Sequence, residues 1–579
     1  MSDISTQRHS LAHILAQAVF DMFPEASLGI GPDTDNGFYY DFDLPRTLQP
    51  EDLPLLQKKM QKIMSQSQKF EHYTEDVNKA IEFLKASKQD YKVELAADLK
   101  AQGETELSFY KNSGFVDMCR GPHVEHTGKA TKHFQLTFIA GAYFKGDNTR
   151  PMLQRIYGVA FETKDELEAY KNMVKEAKKR DHRVLGKKLG LFTFSEKVGA
   201  GLPLFTQKGT IVRNAIVNEI KNLQVKYGYG ASDVNIPHIT KKDLYECSGH
   251  WGKYKDDLFH VHGKGETEFV MKPMNCPHHT QIFASQQHSY RDLPIRMTEV
   301  TTCYRDEQPG ELSGISRVRS LTQDDGHVFC RPDQIKEESE KIVNIIKDFY
   351  TKIGMFSEGN YKVSLSVRDS QDLEKYLGDE ENWNKAESAL EEIAKASKLD
   401  YERIEGEAAF YGPKLDFMFK DALGREWQLA TIQLDFVMPE RFELEYIDEN
   451  GEKARPVMIH RAIAGSLERF MAVIIEHFSG AFPFWMAPVQ IALIPVAEVH
   501  EAYAEELFAK WKDKYHLEFM PSSDSLGKRV RNAEGMKIPF MLVLGDKEVE
   551  SKGVMVRNYA DKSQTEMSIE DFEMLINKE

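Results

Sequence analysis

The spacing of apolar residues in the middle of the chain predicts a long helix followed by a strand. Over residues 208–227 apolar positions recur three and four apart, which is the period of an amphipathic helix, and Gly228 supplies a stop signal. Residues 231–237 then predict a strand. A further helical pattern at residues 379–398 interrupts the strand-like runs around it. Residues 189–487 are therefore predicted to form one large domain.

The first part of the chain mixes strand and helix patterns. Aromatic-rich runs at residues 37–42 and 134–144 predict strands, and residues 51–67 predict a helix. Together they predict an α+β domain over residues 1–163. Residues 164–188 carry a charged helical pattern, which predicts a single helix that links this domain to the next.

From residue 488 onward, strand and helix patterns alternate to the end of the chain. This alternation predicts a small, mainly parallel α/β domain over residues 488–579. The predicted strands lie at residues 491–496, 517–520 and 540–545, and the predicted helices at residues 499–514, 525–534 and 568–578.

Composition is that of a globular protein, with 41% hydrophobic and 29% charged residues among 579. No run of about 18 apolar residues predicts a membrane span. The five cysteines are odd in number and scattered, which favours a reducing, cytoplasmic location. The net charge of −16 argues against bulk nucleic-acid binding. The basic residues 171–188 could still form a local phosphate-binding surface, or simply a solvated helix.

Two short motifs near the start of the chain raise the question of a metal site. His9 and His13 lie four residues apart and would share one face of a helix. Cys119 and His123 repeat the same spacing. Three imidazoles and one thiol are a sufficient ligand set for zinc, but the two motifs alone do not decide between a metal site and another use.

The segment at residues 301–330 combines arginine and acidic side chains. It predicts a hairpin that turns at residues 309–310 and returns carrying Arg317 and Arg319. Arg305 could pair with an α-phosphate, and Glu307 could accept a hydrogen bond from an exocyclic amine. Exposed hairpins of this composition are also common without such a function.

A second segment, residues 460–469, predicts a glycine-containing junction from a strand to a helix. It ends in Glu468 and Arg469, and an arginine near a helix start suits a polyphosphate. The chain has neither a P-loop nor a convincing dinucleotide-binding fingerprint, so those nucleotide-binding folds lose support.

Separated motifs in this order resemble the class II aminoacyl-tRNA synthetases. Residues 304–307 are similar to motif 2 of that class, residues 465–469 to motif 3, and the helix and strand ending at Pro237 to the dimer-forming motif 1. The resemblance runs from about residue 8 to the C-terminus. It is narrowed to the threonyl-tRNA synthetase family by Lys-Pro-Met-Asn-Cys-Pro from Lys272, Thr-Gln-Asp-Asp from Thr322, Ala-Phe-Tyr-Gly-Pro-Lys from Ala409 and Val-Met-Ile-His-Arg-Ala-Ile from Val457.

The resemblance implies a threonine–tRNA ligase, with L-threonine, ATP and tRNA(Thr) as substrates, that forms a homodimer through its catalytic domain. It also implies an α+β editing domain, an antiparallel-sheet catalytic domain and an α/β anticodon-binding domain. One catalytic Zn²⁺ per subunit is implied at Cys276, His327 and His460, and Mg²⁺ is implied with ATP. Three N and S ligands leave zinc the open position that catalysis needs.

The resemblance also implies roles for other side chains of the catalytic domain. Arg305, Arg317 and Arg469 match arginines that contact phosphates, and Glu307 matches the acid that recognises adenine. The positions that match the lining of the threonine and adenylate pocket are Met274, Gln323, Asp325, Tyr411, Lys414, Gln428, Gln433 and Ser466.

For the two ends of the chain, the resemblance implies editing and tRNA recognition. His9, His13, Cys119 and His123, together with Lys92, Asp117 and Tyr40, match a pocket that hydrolyses seryl-tRNA without a metal. His13 and His123 are predicted to orient the water. Arg531, Glu548 and Arg557 match residues that contact the anticodon.

The chain departs from the family pattern at Leu321, where an aromatic often stacks on adenine, at Ser523, where an asparagine is common, and at His278, where a glycine is usual. His278 is expected to point away from the metal. Family members commonly begin with a further small domain, and this sequence has only about seven residues ahead of the motif that contains His9 and His13. Activity is still expected, with weaker affinity for tRNA. Two rival functions remain: an RNA-binding regulator that no longer aminoacylates, and a free-standing editing hydrolase.

Overall fold

A computed structural model describes residues 3–147, 149–230 and 232–578. The chain divides into two compact units, residues 1–175 and residues 176–579. The division lies inside the segment that the sequence assigns to a linking helix.

The first unit is α+β and contains two antiparallel sheets. The larger sheet has the strand order β1-β3-β8-β7, with β2 added beside β3, and the smaller has the order β4-β5-β6. The elements are α1 (Ile4–Phe20), β1 (Ser27–Leu28), β2 (Asp33–Thr34), β3 (Gly37–Asp43), α2 (Asp52–Ser65), β4 (Glu71–Asp76), α3 (Val77–Ala86), α4 (Asp90–Ala101), β5 (Glu106–Asn112), β6 (Phe115–Met118), β7 (Phe134–Tyr143) and β8 (Met152–Ala160).

Helix α1 is buried along most of its length and anchors the core of this unit. Leu11 and Leu15, four residues apart, pack with Phe38 and Phe42 of β3. Helix α2 closes the same core. His13 of α1 lies next to β5 of the smaller sheet, where it contacts Asn112. Cys119 and His123 follow β6, the last strand of that sheet.

The sequence prediction of one helix over residues 164–188 is wrong, because the structure has two: α5 (Lys164–Arg180) and α6 (His182–Lys188). Asp181 separates them. It has non-helical φ and ψ of −46° and 119°, and its Oδ1 accepts a hydrogen bond from the N–H of Arg183 at 2.8 Å. Asp181 is thus an N-cap that begins a new helix.

The second unit is built on a seven-stranded sheet with the order β14-β15-β22-β19-β18-β16-β17, antiparallel apart from the β16–β17 pair. Its elements up to residue 477 are β9 (Phe192–Thr193), β10 (Leu204–Phe205), α7 (Gln207–Lys226), β11 (Ile239–Lys241), α8 (Asp243–Ser248), α9 (His250–Tyr254), β12 (His260–His262), β13 (Glu268–Met271), α10 (Cys276–Ala284), β14 (Ile295–Tyr304), β15 (Ser320–Cys330), α11 (Ile335–Lys352), β16 (Tyr361–Val367), α12 (Glu380–Ala396), β17 (Tyr401–Glu405), β18 (Lys414–Lys420), β19 (Glu426–Asp435), α13 (Val437–Arg441), β20 (Tyr446–Ile447), β21 (Lys453–Ala454), β22 (Val457–Ser466) and α14 (Leu467–His477).

The predicted long helix and the strand-to-helix junction are both present, as α7 and as β22 with α14. The predicted strand at 231–237 is wrong for residues 232–237, and Ala231 lies outside the described residues. These residues form only one bridge, from Asp233 to Thr298. Arg317 and Arg319 also do not lie on the returning strand, because β15 begins at Ser320.

The C-terminal part of the second unit has its own five-stranded sheet. Its elements are β23 (Ile491–Pro495), α15 (Glu501–Trp511), β24 (Leu517–Phe519), α16 (Leu526–Gly535), β25 (Phe540–Leu544), α17 (Asp546–Ser551), β26 (Gly553–Asn558), β27 (Gln564–Ser568) and α18 (Ile569–Ile576). Strands β24, β23 and β25 are parallel, but β26 and β27 extend the sheet with antiparallel pairs. The prediction of a mainly parallel sheet therefore holds only for half of its strand pairs.

Candidate active site

One cavity of about 320 Å³ lies over the central strands of the large sheet. It gathers almost every catalytic-domain side chain singled out by sequence: Met274, Cys276, Arg305, Glu307, Arg317, Gln323, Asp325, His327, Tyr411, Gln428, Gln433, His460, Ser466 and Arg469. Lys414 is not among the residues that line it. Its ammonium pairs with Asp416, whose other oxygen accepts a hydrogen bond from Gln428 Nε2 at 2.6 Å.

Three metal-donor atoms converge at the buried end of this cavity. One donor atom from each of Cys276, His327 and His460 lies within 4.8 Å of the others. His327 on β15 is directly opposite His460 on β22, and their Nε2 and Nδ1 atoms are 3.1 Å apart. One sulfur and two nitrogen donors at these separations fit a Zn²⁺ ion whose coordination is left open for substrate.

A second layer of polar residues orients the two histidines. Asp435 Oδ2 is 2.9 Å from His460 Nε2, so that nitrogen carries the proton and Nδ1 faces the cluster. His327 Nδ1 lies 2.7 Å from His279 Nδ1, which leaves His327 Nε2 for a metal. Glu299 lies 4.0 Å beyond His279. Sequence reasoning missed Asp435. The sequence indicates it only as a lone acidic residue at the end of a largely apolar strand.

Burial disfavours the charged forms of two of these ligands, Cys276 and His327. Desolvation raises the pKa of the Cys276 thiol well above its usual range and lowers the pKa of His327 well below its own. A neutral imidazole is the form that binds metals. His278 is buried beside the cluster with a pKa lowered to about 4 by burial, but it is not one of the three converging donors.

Three arginines line the other end of the cavity. Arg317 pairs with Glu307 through Nη2 at 2.7 Å, and Arg469 Nε donates to the Ser316 carbonyl at 3.2 Å. Burial lowers the pKa of Arg469, and repulsion from Arg305 and Arg317 lowers it further. Guanidinium groups that repel one another over a cavity form a site for a polyanion.

The floor between these two ends is polar and held in place. Asp325 Oδ2 accepts a hydrogen bond from Asn275 Nδ2 at 2.9 Å, and burial raises the pKa of Asp325. Gln433 Nε2 donates to the Gly412 carbonyl at 3.1 Å, next to Tyr411. Leu321 also lines the cavity, so an aliphatic face is available to a planar base. Asn275 was not singled out by sequence.

A separate pocket of about 740 Å³ lies within the first unit. It is lined by His9, His13, Tyr40, Lys92, Asp117 and Cys119, but His123 is not among its lining residues. Lys92 Nζ pairs with Asp117 at 2.8 Å, and the Tyr40 hydroxyl donates to the same carboxylate at 2.5 Å. This buried triad fixes one wall of the pocket.

The four His and Cys residues of the two N-terminal motifs do not all converge. Donor atoms of His9, Cys119 and His123 lie within 4.8 Å of one another, whereas His13 Nε2 is bonded to Asn112 Oδ1 at 2.7 Å. The Asn112 amide donates to Gln17 at 2.6 Å, so its oxygen must accept and His13 must donate from Nε2. Sequence reasoning missed Asn112.

Burial also controls protonation in this pocket. It lowers the pKa of His13 to about 4 and that of His123 to about 2, and it raises the pKa of the Cys119 thiol to about 11. At neutral pH the histidines are therefore neutral, and the Nδ1 atom of His13 is a buried acceptor without a partner among the described residues. The unprotonated nitrogen of such a neutral imidazole can accept a hydrogen bond from water.

The three residues predicted to contact an anticodon lie on different helices and strands of the C-terminal part of the chain. Arg531 is exposed on α16. Arg557 on β26 pairs with Glu534 of α16 at 2.6 Å. Glu548 is buried, and its Oε2 accepts a hydrogen bond from the Gly545 N–H at 2.9 Å at the start of α17.

Three segments of the chain match known domain families. Residues 259–478 match the tRNA synthetase class II core domain (G, H, P, S and T), and residues 490–579 match the anticodon binding domain. Residues 107–157 match the threonyl and alanyl tRNA synthetase second additional domain.

Curated relatives extend the match over nearly the whole chain. Threonine–tRNA ligase of Gloeobacter violaceus is 48% identical over 563 residues, covering 95% of this chain and 88% of that protein. Threonine–tRNA ligase of Halalkalibacterium halodurans is 44% identical over 569 residues, covering 98% and 87%. The chain belongs to the threonine–tRNA ligase family.

Solved structures agree with this family and with the predicted class II fold. The RNA binding domain of threonyl-tRNA synthetase from Cryptosporidium parvum has a TM-score of 0.65 at 35% identity, covering 69% of this chain and 98% of that chain. A putative threonyl-tRNA synthetase from Aeropyrum pernix has a TM-score of 0.60 at 28% identity, covering 69% and 95%. Within the residues the structure describes, no helix is long and apolar enough to cross a membrane.

Replacing Asp435 by Asn should weaken metal binding at the cluster. Asp435 Oδ1 accepts hydrogen bonds from the N–H groups of Val437 and Met438, so an Asn would turn its NH₂ group toward His460. Loss of such an orienting carboxylate costs about 10- to 100-fold in metal affinity. Competition with a chromophoric chelator measures the zinc Kd. Asp448→Asn, in the connection between β20 and β21 and outside the cavity, is the control, and equal affinities in the two variants would contradict the assignment.

Proposed function

We propose that the protein activates L-threonine with ATP, transfers it to the 3′ end of tRNA(Thr), and hydrolyses seryl-tRNA(Thr) formed in error. The observation that carries this proposal is the single cavity that joins a Cys/His/His donor set to a cluster of arginines. Membership of the threonine–tRNA ligase family supports the same reaction. An editing domain of the threonyl and alanyl type supports the hydrolytic step.

Cys276, His327 and His460 would hold one zinc ion per subunit. When bound, the metal supplies open coordination for the amino and hydroxyl groups of threonine. Valine has a methyl group in place of the hydroxyl, and a pocket without a metal separates such isosteres poorly. Asp325, fixed by Asn275, is placed to receive the polar groups of the amino acid, and Gln323, Tyr411 and Gln433 close the pocket around it.

The arginines would bind ATP, with Mg²⁺ as its counter-ion. Arg305 and Arg317 contact the phosphates near the reacting centre, Arg469 contacts the far end of the triphosphate, and Glu307 accepts from the adenine amine. The threonine carboxylate attacks the α-phosphorus and pyrophosphate leaves. A ribose hydroxyl of tRNA then attacks the adenylate carbonyl and AMP leaves. Positioned cations stabilise the negative charge in both steps.

Editing would take place in the pocket of the first unit. Serine keeps the hydroxyl group and lacks only a methyl group, a difference worth about 10- to 200-fold in discrimination. A second site that hydrolyses seryl-tRNA(Thr) would remove the mischarged product that this limited discrimination allows. His13 and His123 would orient the attacking water, and the Tyr40–Asp117–Lys92 triad would hold the end of the tRNA.

Each of these functions is assigned to one segment of the chain. We propose that residues 1–163 form the editing domain and that residues 164–188 link it to the catalytic domain. Residues 189–487 form the catalytic domain, and residues 488–579 form the anticodon-binding domain. Arg531, Glu548 and Arg557 would contact tRNA in the last of these. A homodimer through the catalytic domain and a reducing cytoplasmic location complete the proposal. The free state of all five cysteines supports that location.

Zinc-loaded protein should catalyse threonine-dependent exchange of pyrophosphate into ATP. Arg469→Ala should lower the rate about 10²- to 10³-fold, because it removes a preorganised charge from the phosphate site. Arg403→Ala, an exposed arginine on β17 that pairs with Glu387, should leave the rate unchanged. Absence of exchange by the zinc-loaded wild-type protein would contradict the synthetase function and favour an RNA-binding regulator or a free-standing hydrolase.

Deacylation of seryl-tRNA(Thr) should not depend on zinc. His13→Ala should lower its rate about 10²-fold or more, because the unpartnered Nδ1 acceptor that would orient water in the pocket is lost, and should leave pyrophosphate exchange intact. His133→Ala, a half-buried histidine of the same unit, is the control. Zinc removal should abolish exchange and spare deacylation. A second zinc per chain that disappears when Cys119 and His123 are replaced would contradict a metal-free editing pocket.

A further inference from the structure

The loop that carries Arg317 rests on a buried histidine outside the catalytic cavity. This histidine, His182, is the first residue of α6. Its Nε2 atom accepts a hydrogen bond from the N–H of Ile315 at 3.2 Å. Its Nδ1 atom lies 2.6 Å from Oε1 of Glu476 on α14, and its backbone N–H donates to the same oxygen at 3.0 Å.

These contacts fix the proton on the imidazole. A carboxylate oxygen only accepts, so Nδ1 donates to Glu476, and a backbone N–H only donates, so Nε2 accepts from Ile315. His182 therefore bridges the loop and α14 in a single orientation. Glu476 is itself held by an ion pair with Arg425, which also pairs with Asp421 at 2.5 Å.

The loop fits closely against this histidine. Gly314 has φ of +51°, and a Cβ placed there would lie 2.2 Å from His182 Nε2. Ile315 is fully buried in the core of the unit. The turn is closed by hydrogen bonds from the Ser313 N–H to the Arg317 carbonyl at 3.2 Å and from the Ser316 N–H to the Ser313 carbonyl at 2.9 Å.

Two of the arginines of the phosphate site are attached to this turn. Arg317 is the last residue of the turn, and Arg469 Nε donates to the carbonyl of Ser316 within it. Arg469 also lies on α14, the helix that carries Glu476. His182 thus contacts both elements that set the separation of the two guanidinium groups, although it is not among the residues that line the cavity.

We propose that His182 is a positioning residue for ATP, one that holds the turn at residues 313–317 so that Arg317 and Arg469 are spaced for a polyphosphate before it arrives. This inference rests on the proposed function of the cavity. The hydrogen bond from the Ile315 N–H to Nε2 holds the turn that carries Arg317, whereas the donors of the metal cluster lie on other elements, α10, β15 and β22. Its loss should therefore weaken ATP binding without changing threonine binding.

Two substitutions of His182 separate its two hydrogen bonds. In His182→Asn the side-chain NH₂ replaces Nδ1 and keeps the bond to Glu476, but the acceptor for Ile315 is lost. In His182→Gln the longer side chain places its carbonyl oxygen near Nε2 and keeps that acceptor, while the donor to Glu476 is lost. We expect the Asn variant to raise the KM for ATP about three- to tenfold, with the KM for threonine unchanged, and the Gln variant to keep a near-normal KM for ATP.

The readouts are pyrophosphate exchange kinetics, the Kd of a non-hydrolysable ATP analogue by calorimetry, and the thermal unfolding midpoint. An Asn variant with an unchanged KM and Kd would overturn the inference. So would two variants whose ATP and threonine parameters decline together with their unfolding midpoints, because that pattern marks a purely structural role. Wild-type protein that binds the analogue but shows no exchange would contradict the proposed function alone, and the ratio of analogue Kd values would still decide the role of His182.

Discussion

The catalytic cavity depends on the register between the two central strands β15 and β22. In that register His327 stands opposite His460, and a slip by one residue would turn one of them to the other face of the sheet. A buried ion pair beside them opposes such a slip. Asp324 Oδ1 is 2.8 Å from Arg461 Nη1, and Asp324 Oδ2 accepts from the N–H of Ile463 at 2.9 Å, next to the bulge in β15. Breaking a pair of this kind costs about 3–5 kcal/mol.

Burial also shifts the pKa values of side chains at both ends of the cavity. At the metal end, burial favours the neutral forms of the Cys276 thiol and the His327 imidazole, and Asp435 and His279 turn the donor atoms of His460 and His327 inward. At the phosphate end, burial lowers the pKa of Arg469, and repulsion from Arg305 and Arg317 lowers it further, so this end of the cavity favours a polyanion. Both ends are thus arranged before substrates arrive, which is the condition for electrostatic catalysis.

Sequence reasoning singled out donor and arginine side chains that the structure brings together in one cavity, and it missed polar residues that orient them. The helices α7 and α12 follow from periodicity alone, and the Cys/His/His set follows from the family resemblance. Asp435 and Asn112 look like isolated polar residues at the ends of strands, and only tertiary contacts give them a role. The break between α5 and α6 had a local signal, because Asp181 is a residue type that often caps a helix N-terminus. The charged residues on both sides of it nevertheless made residues 164–188 look like one helix.

We propose that one zinc ion is bound by the Cys276 thiolate and the imidazoles of His327 and His460, which the pairing of β15 with β22 brings together. X-ray absorption at the zinc edge, with elemental analysis, tests this proposal directly. We expect one zinc per chain, with a single sulfur neighbour at about 2.3 Å that is lost in Cys276→Ser and nitrogen neighbours at about 2.0–2.1 Å. A shell without sulfur, a shell with two sulfurs, or a spectrum unchanged by that substitution would contradict it.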